Sequence, residues 1–290
     1  VIKGPIGLGH EESKQIPVDE QPERGALLPM RARMNTYANY RPVFLPKALG
    51  HFSPLKPEII GYSEQKRPIW AVTSNRGGKE WVVITGRMHP PEITGAQALF
   101  PFVETLLGST DSEFLKRFNL LVIPNMNPDG VALGYWRHNI NGKDLNRDWK
   151  TFEQAETQVV RDQLETIVAN GDRIVFAIDF HSTSKNIFYS MPEDYGLHPA
   201  DMTARWLNHL DSQTPDLKVV IKPGNNPDKG VFKQYIADRF GVHAITYEMA
   251  DEFSRQRIKE LAHKAANSFM DIFLATDASE FRGGSGRKAP

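Results

Sequence analysis

Four short runs of apolar, mostly β-branched residues lie in the middle of the chain and are typical of strands buried on both faces. They are Trp81–Thr85, Leu120–Ile123, Ile174–Ile178 and His243–Tyr247. The segments around them repeat their apolar positions with the period of a helix. These predicted helices are Ala96–Leu107, Glu153–Asn170, Met202–Leu210, Gly230–Phe240 and Ser254–Leu274. Buried strands that alternate with helices predict an α/β fold, a three-layer α/β/α domain with a mixed, mostly parallel sheet.

The composition changes on either side of this alternating region. Residues 1–50 are rich in Pro, Arg and Glu with little periodicity, which predicts an N-terminal extension laid over the domain. Residues 51–275 are predicted to form one domain. The Gly- and Ser-containing residues 276–290 are predicted to form a flexible tail.

Bulk composition excludes several classes of function. The 290 residues are 40% hydrophobic, enough to bury a substantial core. Lys and Arg balance Asp and Glu at 35 each, so we expect no nucleic-acid partner, and no apolar run is long enough to predict a membrane span. The absence of cysteine excludes disulfides and thiolate ligands.

The first residue bears on localisation. The chain begins at Val1 and not at Met, as expected if a leader has been trimmed. A trimmed leader favours a secreted or periplasmic protein, and a cytoplasmic one stays the alternative. The sequence leaves the oligomeric state open.

Metal-binding and acidic residues follow three of the predicted strands. His89 and Glu92 come after the first strand, His181 after the third, and Glu248 after the fourth. Carboxyl ends of strands form the ligand crevice of open α/β sheets. Two histidines and a carboxylate make a His2Glu set for catalytic zinc, with a position left for water. The structural alternatives are that Glu92 caps the following helix and that Glu248 forms an ion pair.

The chain resembles the zinc metallocarboxypeptidases of the carboxypeptidase A type, and is most similar to the cytosolic carboxypeptidases and their bacterial relatives. The resemblance rests on His89-Pro-Pro-Glu92, Asn127-Pro-Asp-Gly130 and Asp144-Leu-Asn-Arg-Asp-Trp149, with His181 and Glu248 in the family's order. It runs from about Ile59 to about Leu274 and implies a catalytic domain with that family's fold.

The resemblance implies a zinc-dependent carboxypeptidase that hydrolyses the C-terminal amide bond of peptides or peptide-like substrates. One Zn²⁺ per chain would be held by His89, Glu92 and His181. Glu248 would be the general base for a zinc-activated water. Asp144 would orient His89, although a turn residue in the Asn-Gly-Lys-Asp segment is an equally good interpretation.

Two arginines and an asparagine complete the implied site. Arg137 would stabilise the oxyanion of the tetrahedral intermediate, and Asn146 with Arg147 would bind the free C-terminal carboxylate of the substrate. Structural salt bridges are the alternative role for both arginines. We favour binding because a Gly- and Asn-rich segment predicts an irregular loop.

The chain departs from the family pattern at two places. Pro91 stands where pancreatic-type enzymes have an arginine. Residues 221–230 lack the family's mobile tyrosine, for which Tyr189 or Tyr195 is a candidate substitute.

Side-chain preference depends on which residues line the specificity pocket. Lys233 would favour acidic terminal residues, whereas Val231 or Phe232 would favour apolar ones. We expect Lys233 on an exposed helix face. Three other functions remain open, namely an aspartoacylase-like amidohydrolase of small N-acyl amino acids, a murein-type peptidase and a catalytically inactive binding module.

Overall fold

The computed structural model describes residues 55, 57–108, 112–217 and 219–281. The N-terminal extension predicted for residues 1–50 lies outside this range, as do residues 282–290 of the predicted tail. Residues 276–281 of that tail lie on the domain, with Thr276 and Phe281 both buried.

Eight strands form one mixed sheet in the order β1-β2-β4-β3-β5-β8-β6-β7. In chain order they are β1 Pro57–Tyr62, β2 Pro68–Ser74, β3 Glu80–Gly86, β4 Phe118–Ile123, β5 Arg173–Thr183, β6 Ile187–Ser190, β7 Val220–Pro223 and β8 Ala244–Ala250. The four central strands, β4, β3, β5 and β8, run parallel to one another. Their carboxyl ends therefore meet along one edge of the sheet, as the sequence predicts.

Seven α-helices lie between and after these strands in the described part of the chain. They are α1 Ile93–Leu107, α2 Glu113–Arg117, α3 Pro128–Leu133, α4 Ala155–Ala169, α5 Met202–Gln213, α6 Phe232–Phe240 and α7 Arg255–Ala275. Helices α1, α2, α5 and α7 contribute to one apolar cluster with one face of the sheet, and α4 and α6 contribute to a second cluster on the other face. The predicted three-layer α/β/α arrangement is confirmed.

Alternate residues of each central strand enter different clusters. In β3, Val82 and Ile84 face the α1/α5/α7 side, whereas Trp81 and Val83 face the α4/α6 side. Successive strand residues point to opposite faces, so a strand covered on both sides must be apolar at every position. This requirement explains why the central strands were recognisable in the sequence.

The outer strands were not predicted. β1 and β7 lie at the two edges of the sheet and expose several residues each, so their sequences lack a continuous apolar run. β5 and β8 also extend past their predicted ends, to Thr183 and Ala250. His181 and Glu248 therefore lie within paired strand and not after it, which corrects their predicted position.

None of the helices in the described residues is long and apolar enough to cross a membrane.

The larger cluster is rich in aromatic rings, and Phe269 of α7 lies at its centre. Its ring contacts Trp206 at a centroid distance of 5.0 Å and stacks on Phe273 at 3.8 Å. It also approaches the rings of Phe102 and Phe176. This one side chain thus joins three helices to the sheet.

We expect Phe269→Ala to lower the free energy of unfolding by about 3–5 kcal/mol, because it leaves a cavity among well-packed rings. Leu274→Ala is the matched control, since Leu274 lies on the same helix but is 41% exposed. Urea unfolding of the two variants measures the difference. Equal losses would contradict a central role for Phe269.

Candidate metal centre and active site

His89, Glu92 and His181 meet at the carboxyl ends of β3 and β5. His89 Nδ1 lies 2.8 Å from Glu92 Oε1, and His181 Nδ1 lies 2.7 Å from Glu92 Oε2. Glu92 is the N-cap residue of α1, but within the described part of the chain its side chain makes no capping hydrogen bond. The carboxylate faces the histidines, so the capping interpretation of Glu92 is wrong.

A second carboxylate lies behind each imidazole. His89 Nε2 is 2.9 Å from Asp144 Oδ1, and His181 Nε2 is 2.5 Å from Asp179 Oδ2. Thr85 Oγ1 donates to the other oxygen of Asp179, at 2.8 Å. A carboxylate that accepts from Nε2–H fixes the tautomer and leaves the Nδ1 lone pair for a metal.

Sequence reasoning missed Asp179. Its signal was available, because Asp179 and His181 are two apart on a strand and therefore point to the same face. Asp144 is the partner that the family resemblance implied for His89, and its carboxylate does bond to that imidazole.

The three side chains suit a zinc ion. One ligand atom from each of His89, Glu92 and His181 lies within 4.8 Å of the others, and all three residues are buried. Two imidazole nitrogens and one carboxylate oxygen are the ligand types of catalytic zinc. The orientation of both Nδ1 atoms toward the carboxylate fits the same ion.

The protonation of the two imidazoles is set by opposing effects. Burial lowers the pKa of His89, but Glu92 and Asp144 outweigh it and the pKa is raised. Burial also lowers the pKa of His181, but Asp179 and Glu92 outweigh this effect and raise that pKa well above its usual value. A metal must displace these protons, so its affinity falls as the pH is lowered.

Glu248 lies beside the ligands on the neighbouring strand. It is directly opposite His181 in the register of β5 and β8. Burial and the nearby charge of Glu92 raise the pKa of Glu248 to about 7. Its Oε2 atom is buried and has no hydrogen-bond partner among the described residues, which does not support the alternative that Glu248 forms an ion pair. A carboxylate in this setting can exchange protons near neutral pH.

Asp144 connects the metal ligands to the arginines. One of its oxygens bonds to His89 and accepts from Asn146 N at 2.8 Å. The other accepts from Arg137 Nε at 2.9 Å and lies 2.8 Å from a second Arg137 nitrogen. Arg147 is more distant, with 3.8 Å between its guanidinium and the Asp144 carboxylate.

The amide of Asn146 has a fixed orientation. Its Oδ1 accepts from the backbone N–H of Phe232, the first residue of α6, at 3.0 Å. The amide NH2 group is consequently left as a donor. Arg147 is held nearby through a bond to the Asn146 carbonyl at 2.7 Å, and its side chain is 44% exposed.

Gly230 allows the loop before α6 to approach this segment closely. Its φ is +59°, and an added Cβ would lie 2.6 Å from the Arg147 carbonyl oxygen. Its own carbonyl accepts from Trp149 N at 3.0 Å. The loop is therefore bonded to the backbone of Trp149 and lies close to that of Arg147.

One cleft of about 680 Å³ contains these groups. Its lining includes His89, Glu92, His181, Glu248, Arg137, Asn146 and Arg147, together with Lys222, Lys229, Val231 and Lys233. All of the metal ligands, catalytic groups and carboxylate-binding residues that the family resemblance implied line this cleft except Asp144, which lies behind His89 and Arg137.

The two tyrosines considered as substitutes for the mobile tyrosine differ in position. Tyr189 lines the cleft from β6. Tyr195 donates to Asp238 at 2.6 Å and accepts from Gln234 at 2.7 Å, and it does not line the cleft.

Lys233 is buried, which corrects the expectation of an exposed helix face. It is 4% exposed, and its Nζ donates to the carbonyl oxygens of Ser190, at 3.1 Å, and Gly224. Its third neighbour is Met191 Sδ at 3.3 Å. No described carboxylate pairs with it, and burial lowers its pKa to about 8. Phe232 points the other way, into the apolar core.

Comparison with known families gives one match that covers most of the chain. Residues 51–268 match the zinc carboxypeptidase family, Peptidase_M14.

Curated relatives are cytosolic carboxypeptidases. Cytosolic carboxypeptidase 2 of Xenopus tropicalis is 26% identical over 227 residues, which cover 70% of this chain and 23% of that protein. Cytosolic carboxypeptidase 6 of Caenorhabditis elegans is 31% identical over 169 residues, covering 53% of this chain and 37% of that protein. The chain thus spans well under half the length of these relatives.

Solved structures with the same fold are also carboxypeptidases. A metallo-carboxypeptidase from Burkholderia cenocepacia superposes with a TM-score of 0.68 at 20% identity, over 79% of this chain and 68% of that one. A metallo-carboxypeptidase from Pseudomonas aeruginosa, solved with (2-guanidinoethylmercapto)succinic acid, has a TM-score of 0.63 at 19% identity, over 81% and 68%. At these identities the similarity establishes the fold.

Zinc analysis of two variants tests the ligand set. We expect His181→Ala to lose stoichiometric zinc, because the remaining two side chains cannot hold the ion alone. Glu248→Gln is the matched control: it lies directly across from His181 but is not in the ligand set, so it should keep its zinc. Elemental analysis after dialysis measures both. Full zinc content in His181→Ala would mean that the ligands lie elsewhere.

Proposed function

The chain belongs to the zinc carboxypeptidase family, and from this we propose that it is a zinc-dependent carboxypeptidase with a preference for peptides that end in an acidic residue. The observation that carries the proposal is one cleft that is lined by the His89, Glu92 and His181 cluster and also by two basic side chains, one near the surface and one buried. Arg147 is the half-exposed cation and Lys233 is the buried one.

His89, Glu92 and His181 would hold the zinc ion. Zinc bound there would polarise the scissile carbonyl and acidify a water molecule. Glu248 would take the proton of that water, and its place directly across the strand pair from His181 supports this role. Its raised pKa lets it pass the proton on to the leaving amine.

Arg137 would stabilise the oxyanion. Asp144 holds two of its guanidinium nitrogens, which fixes the plane of the group at the cleft wall. A donor that is already oriented costs little reorganisation when charge develops on the substrate oxygen. Asp144 also bonds to His89, so the same carboxylate orients both Arg137 and a proposed metal ligand.

Asn146 and Arg147 would bind the terminal carboxylate. The bond from Phe232 N to Asn146 Oδ1 leaves the amide NH2 as donor, and the Arg147 guanidinium adds a charged donor beside it. Donors of this kind match a carboxylate group. Only a chain end presents a free carboxylate next to the bond to be cleaved, so this pair supports exopeptidase action.

Lys233 would select the side chain of the terminal residue. A buried ammonium group is costly unless it is well bonded, and here its partners are neutral. A substrate carboxylate in the cleft would supply the missing countercharge by replacing Met191 Sδ, the weakest acceptor of the three. A neutral substrate side chain would leave the ammonium group without a countercharge. We therefore expect an acidic terminal residue to be preferred.

The alternative functions differ in their support. The complete ligand set, Glu248 and the two arginines in one cleft disfavour an inactive binding module. An aspartoacylase-like amidohydrolase would use the same cations on N-acyl aspartate, and cell-wall peptides would also fit a carboxylate-binding cleft. A panel that contains dipeptides, N-acetylaspartate and cell-wall peptides separates these substrates.

Cleavage of matched peptides with a free or amidated C-terminus tests the carboxypeptidase proposal. We expect the free acid to be preferred, chelator to abolish turnover, and Glu248→Gln to lower kcat by about 10²–10⁴-fold. Arg147→Ala should chiefly raise KM for the free acid, because the carboxylate is bound in ground and transition states alike. It should leave the amide little changed. Equal cleavage of acid and amide by the wild type would contradict exopeptidase action.

Lys233→Met tests the preference for acidic residues. A charge-assisted hydrogen bond contributes about 1.5–3 kcal/mol, so kcat/KM for a terminal Glu relative to Gln should fall by about 10–150-fold. Lys229→Met is the control, because Lys229 lines the same cleft but is exposed. In the wild type the preference should decline as the pH rises through about 8, where Lys233 loses its proton. An unchanged Glu/Gln ratio in Lys233→Met would assign selectivity to another residue.

A further inference from the structure

We propose that Ser182 is a positioning residue of the metal centre, whose hydroxyl holds the first turn of α1 against the end of β5 and thereby sets the spacing of Glu92 and His181. The inference rests on the zinc site proposed above. Ser182 is not itself among the metal ligands.

The hydroxyl of Ser182 caps α1 from a different element. Ser182 Oγ accepts from the backbone N–H of Gly95, in the first turn of α1, at 2.8 Å, and the bond is buried. The first N–H groups of a helix have no partner within the helix and need one from outside. Glu92, at the N-cap position, does not serve this purpose in the described structure because its carboxylate faces the histidines.

Ser182 also contacts the ligand carboxylate directly. Its backbone N–H donates to Glu92 Oε2 at 3.2 Å, the same oxygen that faces His181 Nδ1. One residue thus binds the helix end through its side chain and the ligand through its backbone. Any movement of α1 away from β5 would lengthen both contacts together.

Gly95 shows how closely the two elements approach. A Cβ at this position would lie 2.3 Å from the His181 carbonyl oxygen and 2.9 Å from its nitrogen. Only glycine permits that approach. The first turn of α1 therefore lies directly on the backbone of one ligand while Glu92, just before it, provides another.

A second hydroxyl in the same turn provides a matched comparison. Thr94 Oγ1 donates to the carbonyl oxygen of Met249, on β8, at 3.1 Å. This bond also ties α1 to a strand of the sheet. Neither partner of this bond is a ligand, and the bond joins α1 to β8, not to β5, which carries His181, so its loss should change the Glu92–His181 spacing less than the loss of the Ser182 hydroxyl.

A thermodynamic cycle distinguishes positioning from general stabilisation. If Ser182 only stabilises the fold, its removal lowers the stability of the apo and zinc-loaded proteins equally, and zinc affinity is unchanged. If Ser182 positions the ligands, its removal lowers the stability of the zinc-loaded protein more than that of the apo protein. The difference between the two losses of stability equals the loss of zinc-binding free energy. Partners of metal ligands typically change metal affinity by about 10–100-fold when they are removed.

The experiment measures zinc affinity by competition with a chelator, and urea unfolding with and without zinc. We expect Ser182→Ala to bind zinc about 10-fold or more weakly, Ser182→Thr to keep near wild-type affinity because it keeps the hydroxyl, and Thr94→Val to stay within about two-fold. If Ser182→Ala folds only with zinc, the dependence of its stability on zinc concentration gives the same affinity.

Two results would overturn the inference. Wild-type zinc affinity in Ser182→Ala, with equal losses of stability in the apo and loaded forms, would make Ser182 a structural residue only. An equal loss of affinity in Thr94→Val would mean that any tie of α1 to the sheet has this effect. Absence of zinc binding in the wild type would instead refute the proposed function, so the two failures are distinguishable.

Discussion

The structure of the active-site region depends on the pairing of buried carboxylates with imidazole groups. Glu92, Asp144 and Asp179 lie within a few ångströms of two imidazoles, and a buried carboxylate is costly unless it is paired. The pairing is shared in each case: both histidines face Glu92, and each also has its own aspartate. A divalent cation among these groups is consistent with their excess of negative charge.

This shared pairing makes the fold and the chemistry interdependent. The ligands lie at the carboxyl end of the parallel centre of the sheet, where strands are bonded on both sides and covered by helices. The arginines lie on the irregular segment between α3 and α4. Asp144 joins the two regions, since it bonds to His89 of one and Arg137 of the other.

The sequence was informative about the centre of the molecule and the metal ligands. Central strands must be apolar on both faces, so their pattern was visible, and the candidate ligands followed from their positions near the ends of those strands. Asp179 could have been found by the same reasoning, because a residue two positions before a strand histidine shares its face. The edge strands β1 and β7 could not, since their exposed positions carry no continuous apolar signal.

What the sequence determined by itself was therefore the fold class, the family and the group of residues at the carboxyl edge of the sheet, since these depend on local periodicity and motif order. Only the tertiary structure decided what each side chain faces. Glu92 turned from a possible helix cap into a carboxylate between two histidines, and Lys233 from a surface residue into a buried cation of the cleft. The bond between Ser182 and Gly95 joins residues that are 87 positions apart. Such contacts depend on how elements distant in sequence pack together, and no local pattern records that packing.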